Sequence, residues 1–220
     1  MDKYSILKQY YGHSAFRAGQ EELIDSILSG RDALCVMPTG GGKSLCYQIP
    51  ALLLPGITLV VSPLISLMKD QVAALKSAGI PAAYINSSLT GEQIHTVYAR
   101  TRKGAYKLIY VAPERLETNS FLSLMQEMDV SFLAVDEAHC ISQWGQDFRP
   151  SYLGIVDFIN ALPRRPIVAA YTATATKQVQ SDILRLLQLQ SPYRIVTGFD
   201  RPNLYFDVRR PKNKFSALAA

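Results

Sequence analysis

The sequence predicts an α/β domain in which a mostly parallel sheet of about six or seven strands carries helices on both faces. Short apolar runs alternate with helix-like segments along most of the chain, and parallel strands require crossover connections of that kind. The apolar runs consist mainly of Val, Ile, Leu and Ala, which is typical of strands that are buried on both faces. A glycine-rich stretch between the first run and the next helical segment indicates a tight loop at one edge of the sheet.

The predicted elements alternate between strand and helix from residue 33 onward. Two helices precede the sheet, at 3–11 and 20–29, and Gly30 lies where a C-terminal cap falls. Continuous apolar runs predict strands at 33–37, 57–61, 82–85, 107–111, 131–135 and 166–171, with another near 193–197. Helical periodicity predicts helices at 43–53, 65–77, 90–102, 119–127, 151–161 and 176–188.

The composition is that of one globular domain with a mildly basic surface. A length of 220 residues and an apolar content of 48% are enough for a single continuous core. The net charge of +5 slightly favours a polyanionic partner, although an ordinary basic surface explains it equally well. Cys35, Cys46 and Cys140 never form a C-x-x-C pair, so we expect neither a disulfide framework nor zinc, and we expect a reducing cytoplasmic setting. No signal peptide and no run of ~18 apolar residues is visible, so no membrane association is expected.

The first candidate site is the loop between strand 33–37 and helix 43–53, which reads Met-Pro-Thr-Gly-Gly-Gly-Lys-Ser. Its glycines let backbone N–H groups turn inward around phosphate oxygens, and the following helix N-terminus favours an anion. Lys43 is expected to reach the β- and γ-phosphates, and the Ser44 hydroxyl to hold a magnesium ion. Met37 replaces the first glycine of the pattern G-x-x-x-x-G-K-[ST], and a flexible turn with an incidental Lys-Ser is the alternative. The residues predicted to bind a nucleoside triphosphate here are Thr39, Gly40, Gly41, Gly42, Lys43 and Ser44.

A second candidate site lies where strand 131–135 ends in two carboxylates, Asp136 and Glu137. The carboxyl end of such a strand lies beside the phosphate loop. There Asp136 is expected to bind magnesium and Glu137 to polarise the attacking water, two roles that phosphoryl hydrolysis requires. His139 is expected to contact groups near the γ-phosphate. An exposed Asp-Glu turn and a structural histidine are the alternatives.

Taken together, these residues resemble the RecQ branch of superfamily-2 DNA helicases. Met37–Ser44 is similar to motif I of that family, and Asp136–His139 to motif II, the DEAH box. Further segments are similar to the adenine-reading motif at 16–20, motif Ia at 61–71, motif Ib at 112–116, the aromatic-rich loop at 138–150, motif III at 172–175 and the closing segment at 198–203. The family usually has an aromatic ring where this chain has His13, and commonly a histidine where it has Gln146. The resemblance implies a RecA-like P-loop domain.

The resemblance also implies residues that recognise the adenine base. The Gln20 amide can both donate to and accept from the adenine edge, and the planar Arg17 guanidinium can lie against the base. Ordinary surface residues before a helix are the alternative for both.

On the DNA side, the resemblance implies a phosphate contact and a stacking loop. Ser62 and Pro63 precede a helix start, where backbone amides and hydroxyls can hold a nucleic-acid phosphate. Trp144, Phe148 and Arg149 offer two rings and a cation for DNA sensing, whereas simple core packing is the alternative. The hydroxyls of Thr172 and Thr174 are expected to relay the state of the γ-phosphate to the DNA side, whereas a satisfied pair of strand-end threonines is the alternative.

The resemblance implies an ATP-binding motor lobe of a DNA-dependent ATPase, a 3′–5′ helicase that translocates on single-stranded DNA and unwinds duplexes in repair and recombination. Residues 1–205 would form this lobe, with ATP and Mg²⁺ as cofactors and single-stranded and partly duplex DNA as partners. Residues 206–220 would begin a connection to a second RecA-like lobe, and the setting would be cytoplasmic and nucleoid-associated. Two alternatives stay open: a nucleotide kinase, which would need an arginine-rich lid, and a non-catalytic nucleic-acid-binding switch module. RNA as substrate is disfavoured by the resemblance alone.

Overall fold

A computed structural model describes residues 1–198 and Asp207 of the chain. Within these residues seven strands form one sheet, and every neighbouring pair runs parallel. The strands are β1 Ala33–Val36, β2 Ile57–Val61, β3 Ala82–Ile85, β4 Leu108–Val111, β5 Val130–Val135, β6 Ile167–Thr172 and β7 Tyr193–Val196. The helices are α1 Lys3–Tyr11, α2 Gln20–Leu28, α3 Lys43–Leu53, α4 Ile65–Ser77, α5 Gly91–Arg102, α6 Pro113–Leu116, α7 Asn119–Glu127, α8 Gly154–Ala161 and α9 Lys177–Leu186. Short 3₁₀ turns occupy Ala138–Ile141 and Pro150–Tyr152.

The order of the strands brings the ends of β1, β5 and β6 together. Across the sheet the order is β3-β4-β2-β5-β6-β1-β7. Strand β6 therefore lies between β1 and β5, and its Ala170 pairs with both Leu34 and Val135. Since the three strands run parallel, the residues that follow them emerge at the same edge of the sheet. At that edge the Met37 N–H donates to the Thr172 carbonyl at 3.1 Å, which ties the loop after β1 to the end of β6.

Apolar side chains fill both faces of the sheet, because neighbouring strand residues point to opposite sides. Leu34 packs in a cluster with buried residues of α7, α8 and α9. Its neighbours Ala33 and Cys35 pack on the other face with residues of α2, α3 and α4. The predicted fold class, a parallel sheet covered on both faces by helices, is confirmed.

The differences from the predicted elements lie mainly at their ends. Helix α6 follows β4 where no helix is predicted, and the predicted helix at 151–161 begins as a 3₁₀ turn, with α8 starting only at Gly154. The Tyr152 hydroxyl in that turn donates to the Asp136 carbonyl at 2.9 Å. This contact joins the turn to the end of a distant strand, and helical periodicity carries no signal of such a contact.

Several predictions concern the limits and environment of the domain. The cysteines Cys35, Cys46 and Cys140 are buried and free. No helix in the described part of the chain is long and apolar enough to span a bilayer. The predicted closing segment 198–203, the lobe boundary at 205 and the connection 206–220 fall largely outside the described residues, which omit 199–206 and 208–220.

Candidate functional site

The glycine-rich loop leaves β1 and turns sharply before α3 begins at Lys43. Gly40 and Gly42 have φ values of 79° and 85°, in the left-handed region that glycine adopts at little cost. A Cβ atom at Gly42 would overlap the amide nitrogen of Gln20. The loop conformation therefore depends on glycine both for its backbone angles and for the close approach of a neighbouring side chain.

Two residues predicted to read adenine, Arg17 and Gln20, support this loop. The Arg17 guanidinium donates to the Gly40 carbonyl at 2.5 Å. The Gln20 amide donates to the carbonyls of Gly41 at 3.3 Å and Gly42 at 3.2 Å, while its oxygen accepts from the Arg17 N–H at 2.8 Å. Gln20 is 1% exposed, so it is a buried side chain that supports the loop from beneath through these hydrogen bonds. The motif placed both residues at the site, but its spacing gave no sign of these contacts.

Lys43 and Ser44 begin α3 at the mouth of the site. The Lys43 ammonium donates to the Met37 carbonyl at 3.0 Å, so it crosses the loop from its last residues to its first. Both side chains line a cleft of about 420 Å³, together with the acidic pair. The other residues lining this cleft are His13, Ala15, Arg17, Gln20, Thr39, Gly40, Gly42, Leu45 and Leu67. Such a volume is typical of sites for nucleotide-sized ligands.

Asp136 directly follows β5 and lines the same cleft as the glycine-rich loop. Its backbone N–H donates to the Val61 carbonyl at 2.8 Å, and the residue is 7% exposed. Burial and the neighbouring Glu137 carboxylate raise the pKa of Asp136 to about 6, although the Glu137 N–H, Lys43 and His139 act in the other direction. A buried carboxylate with this environment favours a cation beside it.

Glu137 and His139 form an ion pair at the start of the 3₁₀ turn. Glu137 has a φ of 47°, an uncommon left-handed conformation for a residue with a side chain. The His139 Nδ1 atom lies 3.3 Å from a Glu137 carboxylate oxygen, and this contact lowers the pKa of Glu137. The Cys140 sulfur and the Glu137 carboxylate raise the pKa of His139 to about 10. The two groups thus shift each other's pKa toward the charged forms, which favours an ion pair between Glu137 and His139.

The same imidazole connects the acidic pair to β6. His139 Nδ1 lies 2.9 Å from the Thr172 hydroxyl oxygen, and that hydroxyl donates to the Thr174 carbonyl at 3.1 Å. The sequence prediction assigned the relay to the hydroxyls of both threonines. In the structure Thr172 contributes its hydroxyl, whereas Thr174 contributes its backbone carbonyl and has an exposed side chain.

A magnesium ion fits the donor groups at this site. The carboxylate of Asp136 accepts one hydrogen bond from the described residues, at 3.0 Å from the Glu137 N–H, and it lines the same cleft as the Ser44 hydroxyl. Across residues 1–198 and Asp207, no cluster of three or more His, Cys, Asp or Glu residues is arranged to hold a metal by itself. Magnesium commonly takes one or two protein oxygens and completes its shell with phosphate oxygens and water, so these two side chains suffice.

The residues predicted to meet DNA divide into exposed and buried ones. Trp144 is 75% exposed, which excludes the core-packing alternative for this ring, and Phe148 is half-buried. Arg149 pairs with Asp147 and donates to the Pro63 carbonyl at 3.1 Å, so it links this loop to the segment before α4. Ser62 is 1% exposed and its hydroxyl has no partner among the described residues, so that side chain does not present a donor at the surface.

Comparison with known proteins identifies the class to which this fold and site belong. The model of the DEAD/DEAH box helicase family matches residues 17–182, and the chain belongs to that family. It is 51% identical over 211 residues to the ATP-dependent DNA helicase RecQ of Bacillus subtilis, covering 96% of this chain and 36% of that protein. It is 53% identical over 202 residues to RecQ of Haemophilus influenzae, covering 92% and 32%. The chain thus spans about a third of the length of these relatives, and the predicted resemblance to RecQ helicases is confirmed.

Solved structures agree on the fold. The DUF1998 helicase MrfA bound to DNA superposes with a TM-score of 0.70 at 16% identity, covering 90% of this chain and 29% of that one. The Hef helicase domain of Pyrococcus furiosus gives a TM-score of 0.63 at 21% identity, covering 82% and 38%. At these identities the likeness establishes the RecA-like fold alone.

Proposed function

We propose that this helicase domain is the ATP-binding motor lobe of a RecQ-type DNA helicase. One observation carries the proposal: the glycine-lysine loop and the carboxylates of Asp136 and Glu137 line one cleft at the carboxyl edge of the sheet. A loop of this kind binds phosphates, and an acidic pair beside it suits hydrolysis of a phosphoanhydride. The similarity to proteins named ATP-dependent DNA helicases supports ATP as the nucleotide and DNA as the partner.

In this proposal the triphosphate occupies the loop, and Lys43 exchanges its bond to the Met37 carbonyl for a phosphate oxygen. Ser44 and Asp136 would hold Mg²⁺, which when bound neutralises charge on the phosphate oxygens. Glu137 orients the attacking water. Because the contact with His139 lowers the pKa of Glu137, that carboxylate is a weak base. Positioning of water, which is the main requirement of a loose phosphoryl-transfer transition state, fits such a group better than full proton abstraction does.

Single-stranded DNA is proposed to bind along the surface that carries Trp144, Phe148 and Arg149. An exposed tryptophan is available for base stacking, which is worth about 1–3 kcal/mol per base. The bond from Arg149 to the Pro63 carbonyl supports a joint surface with the start of α4, where backbone groups can contact phosphate. His139 lines one small cleft with Trp144 and also pairs with Glu137, so DNA binding can alter the orientation of the attacking water.

The finer features of the activity rest on the resemblance to RecQ helicases. They are 3′–5′ translocation on single-stranded DNA, unwinding of partly duplex DNA, and a role in repair and recombination. We further propose that residues 206–220 lead to a second RecA-like lobe that supplies an arginine finger. Such a finger raises turnover by a factor of about 10³ to 10⁵ in related enzymes, so the chain alone should hydrolyse ATP slowly.

The proposal is tested by measuring ATP turnover with and without a single-stranded oligonucleotide, on this chain and on a longer form that includes the second lobe. We expect slow turnover by the chain alone and strong DNA stimulation in the longer form. Trp144→Ala should remove most of the stimulation, whereas Trp144→Phe, which keeps a stacking ring, should retain it. Absence of hydrolysis in the longer form would favour the alternative of a non-catalytic switch module.

A further inference from the structure

We propose that Asp182 is a positioning residue that orders the segment bearing Trp144. That segment, residues 142–149, is the tryptophan loop. The inference deepens the proposed function, on which its DNA-binding part rests, because it names the group that holds the stacking residue in place. Asp182 lies on α9, 38 residues after Trp144 in the sequence. It belongs to none of the motifs that the sequence analysis describes.

A short hydrogen-bonded chain joins the two residues. The Ser142 hydroxyl donates to one carboxylate oxygen of Asp182 at 2.7 Å. The same hydroxyl oxygen accepts from the backbone N–H of Trp144 at 3.2 Å. The carboxylate thus fixes the direction of the Ser142 hydroxyl, and the hydroxyl in turn fixes the backbone on which the indole is carried. The second carboxylate oxygen accepts from the Arg185 guanidinium at 3.0 Å.

The chain of contacts is protected from water at its base. Ser142 is fully buried and Asp182 is 7% exposed, whereas Trp144 itself is 75% exposed. A hydrogen bond to a charged acceptor in such surroundings is stronger than one between neutral groups. The tryptophan loop therefore presents an exposed ring at Trp144 to a partner, while its buried first residue, Ser142, is bonded to helix α9.

Two further contacts close the root of the loop. The Arg149 N–H donates to the Cys140 carbonyl at 2.8 Å, and the Gly145 N–H donates to the Ser142 carbonyl at 2.9 Å. A Cβ at Gly145 would overlap the His139 carbonyl, so the loop lies directly against the turn that carries His139. Among the hydrogen bonds of the described residues, the Ser142–Asp182 bond joins the loop to α9.

Helix α9 is itself continuous with the residues that follow β6. Thr176 caps α9 by accepting from the Val179 N–H at 3.3 Å, and it follows Thr172 and Thr174 by a few residues. A small cleft of about 100 Å³ separates the tryptophan loop from this segment and is lined by His139, Trp144, Gly145, Thr174 and Thr176, among others. Through Ser142, Asp182 positions the tryptophan that lines this cleft, and His139, which lines the same cleft, pairs with Glu137. A displaced α9 would carry the tryptophan loop with it.

The test uses the fact that Trp144 is the only tryptophan of the chain, so its fluorescence reports the loop without a label. Time-resolved anisotropy should show a larger fast component in Asp182→Ala and in Ser142→Ala than in wild type. Asp182→Asn, which keeps an acceptor oxygen for the serine but loses the charge, should fall between wild type and Asp182→Ala. Ile183→Val serves as the matched control, since it weakens the packing of the same helix and leaves the hydrogen bonds intact.

Quenching of Trp144 by a single-stranded oligonucleotide provides the second measurement. We expect Asp182→Ala to weaken the apparent affinity about tenfold, the loss that corresponds to one hydrogen bond to a charged group. The double variant with Ser142→Ala should lose no more than Ser142→Ala alone, because the serine change already removes the bond to Asp182 as well as the bond from the Trp144 N–H. Unchanged anisotropy in Asp182→Ala, or an equal change in Ile183→Val, would overturn the proposal. If wild-type fluorescence does not respond to DNA, the DNA-binding proposal fails while the anisotropy result still decides the role of Asp182.

Discussion

Asp136, the proposed magnesium ligand, reduces the stability of the fold that positions it. The carboxyl is buried at the end of β5 beside a second carboxylate, and its pKa rises from 3.8 to about 6. The unfolded carboxyl loses its proton near pH 3.8 and the folded one near pH 6. The free energy of unfolding therefore falls as the pH rises between these values, and the penalty is complete at neutral pH. One pKa unit is worth about 1.4 kcal/mol, so the penalty is about 2–3 kcal/mol.

Asp136→Asn should therefore stabilise the chain while abolishing ATP hydrolysis. We expect the free energy of unfolding in urea at pH 7.5, without nucleotide or magnesium, to increase by about 1–3 kcal/mol. Asp129→Asn, an exposed substitution just before β5, should change it by less than about 0.5 kcal/mol. A less stable Asp136→Asn variant would show that the buried charge is compensated by contacts other than those described.

Gly42 offers a second prediction, because its role can be separated from ordinary backbone strain. Gly42 and Gly79 have nearly equal φ values of 85° and 82°, but only at Gly42 does a Cβ meet another group, the Gln20 amide; at Gly79 nothing lies within 4 Å. Gly79→Ala should cost about 1–2 kcal/mol, the price of a left-handed alanine. Gly42→Ala should cost more and should also weaken ATP binding.

The effect at Gly42 is measured by urea unfolding and by calorimetric titration with ATP. Gln20→Ala removes the obstructing amide, so the double variant should recover part of the stability lost in Gly42→Ala. Equal losses in the two glycine variants would contradict a role for the contact between Gly42 and Gln20.

At the scale of single elements, α3 shows how a helix accommodates an internal proline. Pro50 lacks an N–H, so the carbonyl of Cys46, four residues earlier, loses its helical partner. The Tyr171 hydroxyl on β6 donates to that carbonyl at 3.2 Å and replaces the missing bond. Helix α3 therefore continues to Leu53, and the same contact fixes this helix to β6.

Tyr171→Phe should then destabilise the chain by about 1–3 kcal/mol, because the Cys46 carbonyl is left buried and unpaired. Adding Pro50→Ala restores an N–H at the fourth position, so the double variant should be less destabilised than the sum of the two single changes. Urea unfolding of the four proteins in this cycle measures the coupling. Tyr152→Phe, whose hydroxyl bonds to the Asp136 carbonyl instead, should show no coupling to Pro50→Ala. Strict additivity with Tyr171→Phe would contradict the replacement of the missing bond.

These contacts show which features of the fold and site a sequence reveals. The strand that ends in Asp136 and the helix that starts at Lys43 were predictable, since burial and periodicity are local properties. The bonds of Cys46 to Tyr171 and of Ser142 to Asp182 were not, because each joins residues far apart in the chain through single polar atoms. The same reason explains why Gln20 was predicted at the site while its support of the loop was not.

At the scale of the whole molecule, the order of the strands assembles the site. Because β6 lies between β1 and β5, Thr172 sits between the phosphate loop and the acidic pair, where it contacts His139 through its hydroxyl and Met37 through its carbonyl. The sequence predicted a parallel sheet, but the order in which its strands lie is set by packing over the entire domain. The position of Thr172 as a connection between the two motifs is therefore a result of topology.

Calorimetric titration of this chain with ATP in the presence of magnesium tests most directly whether the proposed motor lobe binds its nucleotide. We predict that the chain binds ATP at a single site. Lys43→Ala, which removes the cation proposed to contact the phosphates, should weaken the affinity at least about tenfold. Lys76→Ala, which removes an exposed lysine of α4, should leave the affinity unchanged. An absence of ATP binding by the folded chain, or an affinity that Lys43→Ala leaves unaltered, would contradict the assignment of this cleft as the nucleotide site.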